Sequence, residues 1–226
     1  MPKLFMMAVV IVAALGFVST ASAIPWAEVG DAGALPDTAQ VPVGVGSLTS
    51  ISGVIGPLSF TDADMYRFHI PVPGAFSATT VGTGGTLIDT QLFLFDLAGR
   101  GVYGRDDNPG TPRTTLPSGS PLGPQAAGDY FLAITGFNLD PVSAGGLIFP
   151  NSPKTMLFGP TGPGGGSPIS GYTGFGSRGT YTINLTGAQF SSAAVPVPAP
   201  ATFFLLATGL VGLIAVRGRR KTRNTQ

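Results

Sequence analysis

The sequence predicts an all-β fold: an antiparallel β-sandwich of jelly-roll type, flanked by an N-terminal signal peptide and a single C-terminal transmembrane helix. Short runs alternate apolar and polar residues with period two, the pattern of strands that bury one face. Turns rich in glycine, proline, aspartate and asparagine separate these runs, and the 226 residues include 34 glycines and 21 prolines. Away from the two ends, no stretch sustains a helical period.

Each strand follows from its own residues. A weak apolar run covers Ser47 to Ile55. In the run Asp64 to Ile70, Tyr66, Phe68 and Ile70 share one face, and Arg67 and His69 share the other. A second weak run covers Ala75 to Val81. Gln91 to Phe95 is apolar on both faces and reads as a central sandwich strand. Tyr130, Leu132 and Ile134 form one face of the next strand. Tyr181, Ile183 and Leu185 alternate with Thr180, Thr182, Asn184 and Thr186 in the last. Strands divided by such turns indicate an antiparallel sandwich. Between Phe137 and Gly179 more than 40 residues show no clear strand. A segment of that length reads as a mobile loop or a surface-facing binding loop.

The two ends have a different character. Lys3 gives a positive start, Leu4 to Val18 is apolar, and Ala21-Ser22-Ala23 is a small-x-small cleavage site. This is a signal peptide with a mature start at Ile24. At the other end, Val195 to Pro200 is a proline motif, and Ala201 to Val216 carries no charge. Those sixteen residues would span about 24 Å as a helix, and flanking residues or snorkelling arginines complete a bilayer crossing. Arg217, Arg219, Arg220 and Lys221 follow and stay cytoplasmic under the positive-inside rule. The organisation expected is a signal peptide over 1–23, an N-terminal arm over 24–46 and a sandwich over 47–190 with a Gly/Pro-rich insert at about 138–178. A Pro-rich linker with the sorting motif (191–200), a transmembrane helix (201–216) and a basic cytoplasmic tail (217–226) complete it.

Charge and cysteine content remove several function classes. Half of the 12 basic residues lie in the end segments, whereas all 11 acidic residues fall between Glu28 and Asp140. The exported body thus has six basic against eleven acidic side chains, a net of −5. That balance leaves nucleic-acid binding without an electrostatic basis. The absence of cysteine excludes disulfides, thiol catalysis, cysteine metal sites and a lipoprotein anchor.

The tail resembles the PEP-CTERM sorting signal of Gram-negative bacteria, with Pro196-Val197-Pro198 at the motif and Val197 where the family usually has Glu. The resemblance implies an exosortase-like processing enzyme as partner and transient residence in the inner membrane with the body periplasmic. The final location it implies is the cell surface or extracellular space. The body carries its own ordered landmarks. They are Asp62-Ala63-Asp64-Met65-Tyr66-Arg67-Phe68, Asp89 to Asp96, Asp106-Asp107, Gly128-Asp129-Tyr130, and Gly179 to Thr186. In that order they resemble the bacterial pre-peptidase C-terminal domain, over about Thr49 to Thr186. This implies a small, non-catalytic β-sandwich that accompanies secreted enzymes or surface proteins.

Calcium is the cofactor to consider. It takes six to eight hard oxygens, which carboxylates on turns can supply. Asp62 and Asp64 lie two residues apart at the mouth of a strand and share a face. In calcium-binding relatives of the pre-peptidase domain, an acidic arm and a D-x-D at this place supply ligands. Carried over, the ligands are Glu28, Asp31, Asp62 and Asp64. The competing reading is that Asp62 and Asp64 cap a turn through backbone N–H groups. Asp106-Asp107-Asn108-Pro109-Gly110 resembles a calcium loop and equally suits a hairpin turn.

Enzymatic readings find little support. His69 is the single histidine, no G-x-S-x-G elbow exists, and Gly162 to Ser167 lacks the Gly-Lys-Ser/Thr of a phosphate loop. The expectation is a non-enzymatic structural or adhesive protein of extracellular polysaccharide. The alternative is a carbohydrate-binding module using Tyr172 and Phe175, and a small secreted hydrolase built on His69 or on paired carboxylates comes third.

Overall fold

The computed structural model describes residues 23–56 and 59–191. The readings on residues 1–22, on Pro196, Val197 and Pro198, on the apolar segment and on the basic cluster lie outside the described residues. Among the described residues there is no α-helix, and no helix is long and apolar enough to cross a membrane.

Two sheets form the body. The first contains β1 (Ala23–Ala27), β2 (Ser47–Ile55), β12 (Gly179–Thr186), β4 (Ser77–Thr79) and β7 (Thr115–Leu116), hydrogen-bonded in that order. The second contains β3 (Ala63–Ile70), β8 (Gly128–Gly136), β5 (Thr90–Asp96) and β6 (Gly101–Arg105). One core joins their inner faces, with Leu48, Ile51, Ile55, Tyr181, Ile183 and Leu185 from the first sheet. Tyr66, Phe68, Ile70, Leu92, Leu94, Leu132 and Ile134 meet them from the second. This is a β-sandwich, and the alternating residues of the sequence supply its interior.

The N-terminal arm departs from an all-antiparallel arrangement. β1 pairs parallel to β2, whereas the other strand pairs are antiparallel. A parallel pair requires a crossover of a dozen or more residues, and residues 28–46 provide it. The crossover runs along β3: Gln40 N–H donates to Met65 O at 2.9 Å, and Arg67 N–H donates to Gln40 O at 2.8 Å. The free edge of β3 is thereby covered. Pro25 falls where the β1–β2 register slips by one residue, on an edge strand, where its missing N–H costs no ladder bond.

The insert forms a third layer, which corrects the expectation of a segment without strands. β9 (Leu139–Ser143), β10 (Gly146–Leu147) and β11 (Gly171–Gly174) form a small sheet in the order β10-β9-β11. Ile148, Phe149 and Ile169 form a second core with Met65, Phe93, Phe95, Phe131 and Ala133 from the outer face of the four-stranded sheet. Phe149 stacks on Phe93 at 5.3 Å and meets Phe95 edge-on at 5.8 Å. Met65 on β3, Phe93 and Phe95 on β5, and Phe131 and Ala133 on β8 make one end of the outer face apolar, and removing these side chains from water drives the insert onto the sheet. A polar clamp centred on the buried Asp140 holds it there. Asp140 accepts from Gln91 Nε2 at 2.9 Å and from Asn151 Nδ2 at 3.2 Å.

Candidate functional site

Asp64 is the second residue of β3 and lies on the same face as Tyr66 and Phe68, so the strand turns its carboxylate inward. Its side chain is fully buried. Tyr181 Oη donates to Asp64 Oδ2 at 2.5 Å, and Tyr66 Oη lies 2.5 Å from Tyr181 Oη. Asp64 Oδ1 is buried without a hydrogen-bond partner. Tyr66 in turn packs edge-on against Trp26 of β1, with ring centroids 5.7 Å apart.

The arm brings two further carboxylates to this point. Glu28 follows β1 directly. Its Oε1 accepts from Ala32 N–H at 2.7 Å and its Oε2 from Val54 N–H at 2.8 Å. Gln40 closes the loop that holds Asp31, since its side-chain amide bonds both the N–H and the C=O of Val29. One carboxylate oxygen each from Glu28, Asp31 and Asp64 lie within 4.8 Å of one another. Gly53, on β2, leaves the space: a Cβ there would collide with Tyr181 Oη and Glu28 Oε2.

Asp62 stands apart from this trio. Its Oδ2 accepts from Gly56 N–H, the turn-capping arrangement, yet its charge reaches both Glu28 and Asp64. Three of the four carboxylates named from the sequence therefore converge, and the fourth flanks them.

The electrostatics are those of negative charge held out of water. Burial pushes the Asp64 carboxyl up to about 9; the bond from Tyr181 opposes this, and the charges of Glu28, Asp62 and Asp31 add to it. Burial also raises Glu28 against its two backbone bonds, with Asp31 and Asp62 contributing. Asp62 is raised by burial, opposed by the bond from Gly56. A cation among these oxygens would replace repulsion by attraction. The 4.8 Å limit on their separation suits a calcium sphere, whose oxygens sit about 2.3–2.6 Å from the ion. The tyrosine support was not legible in the sequence. Tyr66 and Tyr181 carry the signature of core-facing strand residues, and nothing in the spacing says that their hydroxyls meet.

The other sequence candidates fall elsewhere. Asn108-Pro109-Gly110-Thr111 is a turn, with Thr111 N–H donating to Asn108 O at 3.1 Å and Gly110 at φ +86°. Proline then glycine at the two central positions is the type II arrangement. His69 Nδ1 lies 2.9 Å from Asp129 Oδ1, while Arg67 donates through Nε and Nη2 to Asp129 Oδ2 at 3.0 and 2.7 Å. Among the described residues no hydrogen bond joins His69 to a serine hydroxyl. Tyr172 packs against the second core with its hydroxyl buried. Phe175 is 74% exposed.

A family model for the PEP-CTERM protein-sorting motif matches residues 196–221. That range begins at Pro196 and includes Val197 and Pro198, so the valine in place of glutamate does not remove the match. It ends at Lys221, after Arg217, Arg219 and Arg220. The chain therefore carries an export-linked sorting signal of the kind processed by an exosortase-like enzyme. No curated protein and no solved structure matches the chain.

Proposed function

We propose that the body serves, after sorting, as a non-enzymatic structural or adhesive module of the cell surface or extracellular polysaccharide. The apolar segment 201–216 anchors the chain in the inner membrane while the body is periplasmic. Cleavage near Pro196-Val197-Pro198 then releases it. We read the sandwich as a jelly-roll relative of the pre-peptidase C-terminal domain, tightened by calcium at Glu28, Asp31 and Asp64 with Asp62 beside them. The observation that carries the calcium reading is the convergence of Glu28 and Asp31, from the arm, with Asp64 of β3, a buried carboxylate whose Oδ1 has no hydrogen-bond partner. The non-enzymatic reading is supported by the placement of His69, whose carboxylate partner is shared with Arg67.

The test is thermal unfolding of the full-length chain in mild detergent, first in EGTA and then in millimolar calcium. An ion that binds only the folded chain stabilises it by about 2.7 kcal/mol at a hundredfold excess over its dissociation constant. The midpoint should rise, and Asp64→Asn should give a smaller rise than the wild type. An unchanged midpoint would return these carboxylates to a capping role.

A second reading, a carbohydrate-binding module, is favoured by one observation. Phe175 is 74% and Phe60 52% exposed, and Gly176 N–H donates to Phe60 O at 2.6 Å, which ties the two segments together. Retention on a defined polysaccharide that Phe175→Ala removes would support it.

A further inference from the structure

We infer that the chain has a second calcium site, formed by Asp89, Asp106 and Asp107 at the end of the four-stranded sheet. The site follows from the topology. β5 and β6 are antiparallel neighbours, so the residue before β5 lies beside the residues after β6. Those residues are Asp89 on one side and Asp106 and Asp107 on the other. One carboxylate oxygen from each lies within 4.8 Å of the other two.

The turn that follows does not explain these carboxylates. It is built by Asn108 to Thr111, and the Asn108 side chain is itself spent on Arg105 Nη1 at 2.8 Å and Thr115 Oγ1 at 2.9 Å. The Oδ1 atoms of Asp89, Asp106 and Asp107 are all buried and have no hydrogen-bond partner. Asp106 is only 6% exposed. Burying a carboxylate oxygen without a partner is costly, and three together compound the cost.

The nearby lysine does not remove that cost. The charge of Lys154 opposes the upward push on Asp106 and Asp89, but its Nζ sits 3.6 Å from the centroid of the Phe137 ring. No ion pair joins it to the three aspartates among the described residues. Burial, followed by the charges of Asp107 and Asp89, still holds the Asp106 carboxyl up to about 7. Hard, anionic oxygens at this spacing fit calcium, and magnesium fits less well because it demands stricter octahedral geometry.

The site also has a structural consequence. Asp107 N–H donates to Lys154 O at 3.1 Å, and Phe137 N–H donates to Asp89 O at 3.1 Å. An ion here would close the end of the sheet against both the start and the middle of the third layer. The inference does not rest on the Glu28 group, which lies on the arm and β3.

The experiment is a calcium titration of the full-length chain in mild detergent, by calorimetry and equilibrium dialysis, against millimolar magnesium. Asp89→Asn and Asp106→Asn should each bind one calcium fewer per chain than the wild type, while Asp64→Asn should retain this ion. In EGTA, Asp106→Asn should melt at or above the wild-type midpoint, because it removes an unpartnered charge. If Asp106→Asn fails to fold by circular dichroism, Asp89→Asn decides. Loss of an ion through Asp64→Asn alone, with Asp89→Asn binding as the wild type does, overturns this site and leaves the first standing. A wild-type chain that binds no calcium overturns both.

Discussion

Asp64 shows how one side chain can be both a cost and a resource. It is buried, held by Tyr181 and surrounded by other carboxylates. In chelator, Asp64→Asn should raise the melting midpoint or leave it unchanged, because an amide keeps the shape without the charge. In calcium the same variant should fall below the wild type, and that crossing is the signature of a ligand. Gly53→Ala tests the same site from the other side. The added methyl collides with Tyr181 Oη and Glu28 Oε2, so it should destabilise by about 1–3 kcal/mol and weaken calcium binding in the same titration. Asp129 makes a separate prediction about pH. Burial pushes its carboxyl up, but the bonds and charges of His69 and Arg67 outweigh burial and hold it below the usual range. A lowered carboxylate contributes stability above its unfolded value near pH 4 and loses it as pH falls through the folded one. Asp129→Asn should therefore be less stable than the wild type near neutrality, by about 1 kcal/mol for so accessible a pair, with the difference closing below about pH 4. A difference that persists unchanged into acid would sink this account.

Single strands were the most legible elements. The run from Asp64 to Ile70 alternates as a half-buried strand should, and β3 spans Ala63–Ile70. Phe93 and Phe95 were readable as buried on a strand with two apolar faces, but the sequence does not say what covers the outer face. The cover is the insert, whose own strands are two to five residues long. Runs that short carry no usable period, and their glycines and prolines look like loop. The insert is held by contact with a sheet distant in sequence, a kind of information that local pattern does not contain. Phe149 is the residue to remove. Phe149→Ala should cost about 3–5 kcal/mol in urea unfolding and should expose the outer faces of β5 and β8 to a hydrophobic dye. If the insert were loop alone, the cost would be negligible.

At the level of the whole chain, the sorting tail was the most readable part, because its proline motif, apolar segment and basic cluster are contiguous. The acidic arm was readable as composition, but the parallel strand β1 and the meeting of Glu28, Asp31 and Asp64 depend on a crossover that no spacing rule supplies. The sequence does not reveal the meeting of Asp89 with Asp106 and Asp107 for a related reason: it arises only through the pairing of β5 with β6. The order of the first sheet has one more consequence. β12 is the last strand among the described residues, yet it sits in the middle of its sheet, between β2 and β4. The sheet cannot close until Thr186 has crossed the membrane, and the matched sorting motif begins ten residues later, at Pro196. If the N-terminal segment leads export as its sequence predicts, the chain travels unclosed until β12 has crossed. On the proposed route, closure of the sheet and arrival of the sorting motif are separated by only ten residues of chain, so the processing enzyme would meet a domain that has just become able to close.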